Sequence, residues 1–257
     1  MVNKPKLVDV NSYIVYYGNN NLDILSKYDL IIIESKAYTK ENIMYLKKKN
    51  CIVISYISII EANHWDKNLK LLDKNDFLLK NNEKQKNTTF NTYLMNISSI
   101  NWKNILTKKI SYIFDYLNFD GLFLDTVGIL ENTNFTQENK YSLLIETAEF
   151  INSIKYRYPQ KILIQNNGYL ELYHYTKNFI DSICFENLYM LKKNKFEYNY
   201  INTMISNILT EKRILPLMLL DKKTCVKYKA TYKKVMKIIK ANNVLLYISP
   251  NEYLEIY

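Results

Sequence analysis

Glycine is nearly missing from this chain. Of 257 residues only Gly18, Gly121, Gly128 and Gly168 are glycine. No two stand at the spacing of GxGxxG, GxxxxGK[ST] or GxSxG, so the dinucleotide fingerprint, the P-loop and the nucleophile elbow are excluded. Histidine is scarcer, with His64 and His174 alone. That leaves little for a histidine-rich metal site or a Ser-His-Asp relay, and both read as loop or surface residues. Cys51, Cys184 and Cys225 are odd in number and widely spaced. They make neither a disulfide framework nor a zinc pattern, and two fall in apolar runs where cysteine serves as a small core residue. Arginine is confined to Arg157 and Arg213, so the formal net charge of +10 rests on lysine. Base-edge and bidentate phosphate recognition favour arginine. The lysines are scattered, and the run Lys47-Lys48-Lys49 sits at an expected helix end, where cations suit the dipole. The reading is a solvated basic surface with no specific nucleic-acid partner, leaving nonspecific attraction to polyanions.

No apolar run reaches the roughly 18 residues of a membrane span. The opening Met1–Lys6 runs into polar sequence without an apolar stretch of signal-peptide length. The cellular address stays open, with an extracellular site possible if a leader was trimmed. No cofactor and no metal is expected, and carboxylates are the natural chemical suspects.

What is present alternates. Apolar or β-branched runs at 13–17, 30–34, 51–57, 121–125, 161–165, 182–186, 214–220 and 244–248 read as strands. Helical spacing follows in 22–27, 39–49, 102–118, 137–158, 196–211, 224–241 and 250–257, while 66–100 reads as a polar excursion with one or two short elements. Eight strands, each followed by helix or by room for one, predict parallel pairing and an α/β fold, a single (β/α)8 TIM barrel over residues 1–257. An open doubly wound sheet is the alternative.

The chain is organised around Asp120-Gly121-Leu122-Phe123-Leu124-Asp125-Thr126, a short apolar strand entered through glycine and closed by a carboxylate. By the two-residue strand period, Phe123 and Asp125 share a face. Ser182-Ile183-Cys184-Phe185-Glu186 repeats the design, with Cys184 and Glu186 on one face. A carboxylate ending a buried strand is costly without a task or a partner. Strands four and six have one strand between them, so inward side chains could bring the two carboxyl groups to about 5 Å, the separation of a retaining glycosidase. Structural acids paired with lysines are the competing reading.

The succession Tyr16-Tyr17-Gly18, Tyr28–Ile33, Tyr56–Glu61, Asp120–Thr126, Gln165-Asn166-Asn167-Gly168 and Phe185–Tyr189 resembles glycoside hydrolase family 114, the endo-α-1,4-polygalactosaminidase-like (β/α)8 barrels. The resemblance implies Asp125 as nucleophile and Glu186 as acid/base, with Tyr17, Glu61, Asn167 and Tyr189 lining a substrate groove. Trp65 is a further candidate to stack on a sugar face, whereas Trp102 reads as packing. Two positions depart from the family's habit: Ile60 precedes Glu61 where glycine is common, and Gly128 stands where an acidic residue often follows strand four. The expected function is cleavage of an α-linked amino-sugar or related polysaccharide. A catalytically inactive carbohydrate-binding barrel is the alternative, and the oligomeric state is left open.

Overall fold

The computed structural model describes residues 7–131, 137–187, 203, 206–211, 214–242, 244–251 and 253–256. Eight parallel strands form one sheet in sequence order: β1 Tyr13–Tyr16, β2 Leu30–Glu34, β3 Ile52–Ser58, β4 Gly121–Asp125, β5 Ile162–Asn166, β6 Ser182–Glu186, β7 Leu215–Asp221 and β8 Leu245–Ser249. The eighth returns beside the first. The Tyr13 and Tyr247 rings lie 6.0 Å apart, and the Tyr17 N–H donates to the Tyr253 carbonyl at 2.7 Å. The result is a nearly closed barrel in which both faces of most strands are covered, as continuous burial along β1, β2 and β4 requires.

Helices form the outer layer. Thr39 caps the helix Lys40–Lys48 with a reciprocal Asn42 contact. Ser99 caps Ile100–Ser111, which runs on into a π-turn at Tyr112–Tyr116. The longest helix, Gln137–Arg157, ends before Pro159. Trp102 is buried and its indole N–H donates to the Ile59 carbonyl at 2.8 Å, so it fixes the end of β3 to the outer layer.

Three expectations need correction. The excursion after β3 is more ordered than its polarity suggests: Glu61–Asn63, Thr92–Leu94 and Lys86–Asn87 make a small antiparallel sheet. Burial of Leu94 within it and of Phe77 and Met95 beside it, with the bonds of Asn87 and Thr92 to Glu61, orders it, which no periodicity over so few residues reveals. The helix expected over 224–241 breaks at Tyr228 into Lys222–Lys227 and Lys229–Ala241. The last residues, read as a helix, are a turn: Tyr253 is left-handed at φ 67° with its N–H on Ser249 Oγ at 2.7 Å. The expected helix over 196–211 falls mostly outside the described residues.

Candidate active site

Register decides which side chains meet. Ser58 lies level with Asp125, Leu124 with Gln165, and Asn166 with Cys184. Asp125, Asn166 and Cys184 therefore point the same way, into the barrel mouth, and Glu186 follows two residues above Cys184 on that side. β5 carries the joint. One nitrogen, Asn166 Nδ2, donates to Asp125 Oδ1 at 2.7 Å and to Glu186 Oε2 at 2.8 Å. Two bonds meeting on one atom hold those oxygens within the sum of their lengths, about 5.5 Å, and nearer 5 Å for the divergent hydrogens of an amide, in the retaining range.

Glu186 has a second donor, the Tyr253 hydroxyl, at 2.5 Å from Oε1. Burial raises its carboxyl above the ordinary range, and the Asp125 charge adds to the rise; bonds from Tyr253 and Asn166 partly oppose it. The phenol of Tyr253 is itself pushed up by burial and by Glu186. Tyr17 packs edge to face between Tyr56 at 5.0 Å and Tyr253 at 5.3 Å. Burial raises Tyr17 and Tyr56, and Asp125 is the next cause for each. Three phenols thus stay protonated around two carboxylates. Below them the Cys184 thiol is raised by burial, then by Glu186 and Asp125, which removes it as a nucleophile.

The residues just past the strands hold this geometry. Thr126 takes φ 67°, unusual for a β-branched residue. Its Oγ1 accepts from Ile60 N at 2.9 Å and Ile59 N at 3.2 Å, tying the end of β4 to the loop after β3. Asn167, also left-handed at φ 58°, accepts the Glu186 N–H on its Oδ1 at 3.0 Å. Asn187 does the same for Asp221 N at 3.0 Å.

Of the residues singled out from the sequence, Asp125, Glu186 and Tyr17 come together. Asn167 serves the Glu186 backbone through its carbonyl oxygen. Glu61 is buried and holds the small sheet, accepting from Thr92 Oγ1 at 2.6 Å and Asn87 Nδ2 at 2.9 Å; its charge still reaches Tyr56. Trp65 stands apart, on a cleft with His64 and Asp66. Tyr189 lies outside the described residues. Sequence reasoning missed Asn166 and Tyr253. Asn166 stands one residue past the strand expected over 161–165, yet it shares the face of Ile164 and the alternation that marks Asp125 reaches it; Tyr253 carries no signal. Among the described residues no group of three His, Cys, Asp or Glu stands where a metal could sit.

Residues 3–244 match the family described as glycoside-hydrolase family GH114. The chain belongs to family GH114. It is a glycoside hydrolase with a TIM-barrel fold. Among solved structures, the glycoside hydrolase domain of PelA from Pseudomonas aeruginosa is similar at TM-score 0.75 and 15% identity, covering 96% of this chain and 97% of that one. Aspergillus fumigatus Ega3, in complex with galactosamine, is similar at 0.62 and 16%, covering 85% and 78%. A maltogenic α-amylase, AmyB from Thermotoga neapolitana, follows at 0.60 and 11%, covering 94% and 68%. No curated protein sequence matches the chain.

Proposed function

We propose that this GH114 protein cleaves an α-linked amino-sugar polysaccharide of galactosamine type by a retaining mechanism, with Asp125 as nucleophile and Glu186 as acid/base. The observation that carries this reading is the single Asn166 nitrogen joining both carboxylates. In the first step a carboxylate oxygen of Asp125 attacks the anomeric carbon. The bond to the leaving oxygen breaks, and that oxygen takes the Glu186 proton. The raised affinity of Glu186 for its proton suits it to be the donor. In the second step water gives a proton to Glu186 and attacks the anomeric carbon, which frees Asp125 with the original anomeric configuration. Tyr253, donating to Glu186, favours the ionised form that the second step needs.

The amino-sugar assignment draws support from charge. Although the chain is +10 overall, the charges acting on Glu186 are those of Asp125 and Asp221, and those acting on Tyr56 are Asp125, Glu34 and Glu61. A cationic sugar repelled at long range by the lysines meets an acidic mouth. The bound galactosamine of Ega3 fits the same reading.

The test is hydrolysis of α-1,4-linked galactosamine oligomers, with the product anomer followed by proton NMR. Asp125→Asn and Glu186→Gln should each lose at least about 10²-fold in kcat, and the first product should be the α-anomer. A β-anomer would sink the retaining scheme, and undiminished turnover in either variant would remove the assignment. Binding without release of reducing ends by the unaltered chain would favour the inactive carbohydrate-binding barrel.

A further inference from the structure

The excursion after β3 carries an open cleft of about 370 Å³ that contains none of the residues around the carboxylate pair. Ligand sites begin at about 300 Å³. Its apolar wall is aromatic: Phe77 and Tyr93 meet edge to face at 5.5 Å, and Trp65, 60% exposed, also lines it. Lys67, Lys70 and Lys84 share the lining, with Lys84 Nζ 3.6 Å from the Phe77 ring centre. Lys86 lies beside them, its Nζ 4.8 Å from the Tyr93 centre. The one carboxylate in the lining, Asp66, is taken by Lys109 Nζ at 2.7 Å and by the backbone and side-chain amides of Asn68. Among the described residues Lys67, Lys70 and Lys84 enter no ion pair. Among the described residues, three lysines without an ion pair therefore line a cleft whose wall is aromatic, and Lys84 lies directly on that wall.

We propose that this cleft is a second carbohydrate site, which takes an acidic sugar unit of the uronate type. The sugar's apolar face would lie on Trp65 while its carboxylate meets Lys67, Lys70 and Lys84. The site lies a short way along the catalytic face. Lys36 Nζ is 5.2 Å from the Trp65 ring and 2.6 Å from Glu34 Oε2, and Glu34 ends β2 within electrostatic reach of Tyr56. Its charge is opposite to that of the catalytic mouth, so its occupant is not a second copy of a cationic sugar. A single-stranded nucleic acid would ask for an open basic track with bases stacked in succession. This cleft has the volume of one or two sugar rings, and the described arginine, Arg157, lies elsewhere against Tyr158.

The experiment is calorimetric titration of the full chain at low salt with a short oligogalacturonide. A neutral oligosaccharide of equal length, inorganic sulfate and a single-stranded oligonucleotide serve as comparison ligands. The oligogalacturonide should bind at least tenfold more tightly than the neutral chain and than sulfate, and weaken as salt shortens the Debye length from about 30 Å to about 8 Å. Lys84→Ala and Trp65→Ala should each weaken it about tenfold, whereas Glu186→Gln should not change it. If Lys84→Ala melts early, Lys70→Glu, on an exposed side chain, should give the same loss. Equal binding of the neutral chain or of sulfate, or affinity unmoved by the lysine variants, overturns the proposal. Tighter binding of the oligonucleotide with the same lysine dependence replaces it with a nucleic-acid site. Loss on Glu186→Gln instead puts the acidic chain at the catalytic pair, and the proposal fails while the catalytic reading stands.

Discussion

Tyr253 closes a contact from the turn after β8, across β7, to the end of β6. Its hydroxyl favours the charged form of Glu186, while burial and Asp125 favour the protonated form. Tyr253→Phe removes only the first influence, so the Glu186 carboxyl should rise further. In a retaining scheme the alkaline limb of kcat/KM reports loss of the Glu186 proton, so that limb should move to higher pH, with the acid limb unmoved. A pH–rate profile of Tyr253→Phe checks this; a shift to lower pH would contradict it. At this scale the sequence exposed the acids better than their partners. Asp125 and Glu186 are legible because a carboxylate in an apolar alternation is anomalous. Asn166 has the same alternation but is the last residue of β5, one past the run 161–165 that marks the strand, and Tyr253 is one of 24 tyrosines.

Among the described residues the left-handed corners that join the elements are mostly asparagine. Asn20, Asn21, Asn50, Asn81, Asn82, Asn91, Asn118, Asn167 and Asn187 all take positive φ. Asparagine tolerates this region, and its side chain can hydrogen-bond locally. A chain with four glycines thus turns its corners with a residue that also bonds to the neighbouring strand, as Asn167 does at Glu186. Gly128 is the counterpart: a Cβ there would stand 2.7 Å from Asn167 Cβ. Any side chain at this position has to displace Asn167. Gly128→Asp should push Asn167 aside and release the Glu186 N–H, for a loss of about 10- to 100-fold in kcat. Steady-state kinetics beside a near-unchanged far-ultraviolet circular dichroism spectrum would confirm a local effect; wild-type turnover would refute it. None of these corners was assigned from sequence, because an asparagine between strands reads equally as polar loop.

For the molecule as a whole, closure depends on strands approaching without obstruction. A Cβ at Gly121 would stand 2.2 Å from the Ile162 carbonyl oxygen and 2.8 Å from Ile54 Cδ1, with backbone as the first obstacle. Gly121→Val should therefore cost about 3 kcal/mol and lower Tm by roughly 6–12 °C, read by differential scanning calorimetry. An unchanged Tm would mean the β3–β4–β5 contact is looser than the register implies. The eight strands were legible to within two residues at each end because a parallel sheet covered on both faces leaves long apolar runs between polar breaks. The small sheet after β3 was not, since its strands are two or three residues long and owe their order to Glu61, Asn87 and Thr92 meeting in space. By itself the sequence determined the α/β alternation, the eight strands, and the two acids ending strands on one face each, because hydrophobic periodicity and the cost of a buried charge are local properties. Only the tertiary structure decided that one asparagine joins those acids, that Tyr253 reaches back to Glu186, and that Trp65 belongs to a separate lysine-lined cleft. Each of these is a meeting of residues far apart in the chain, set by strand register and loop closure.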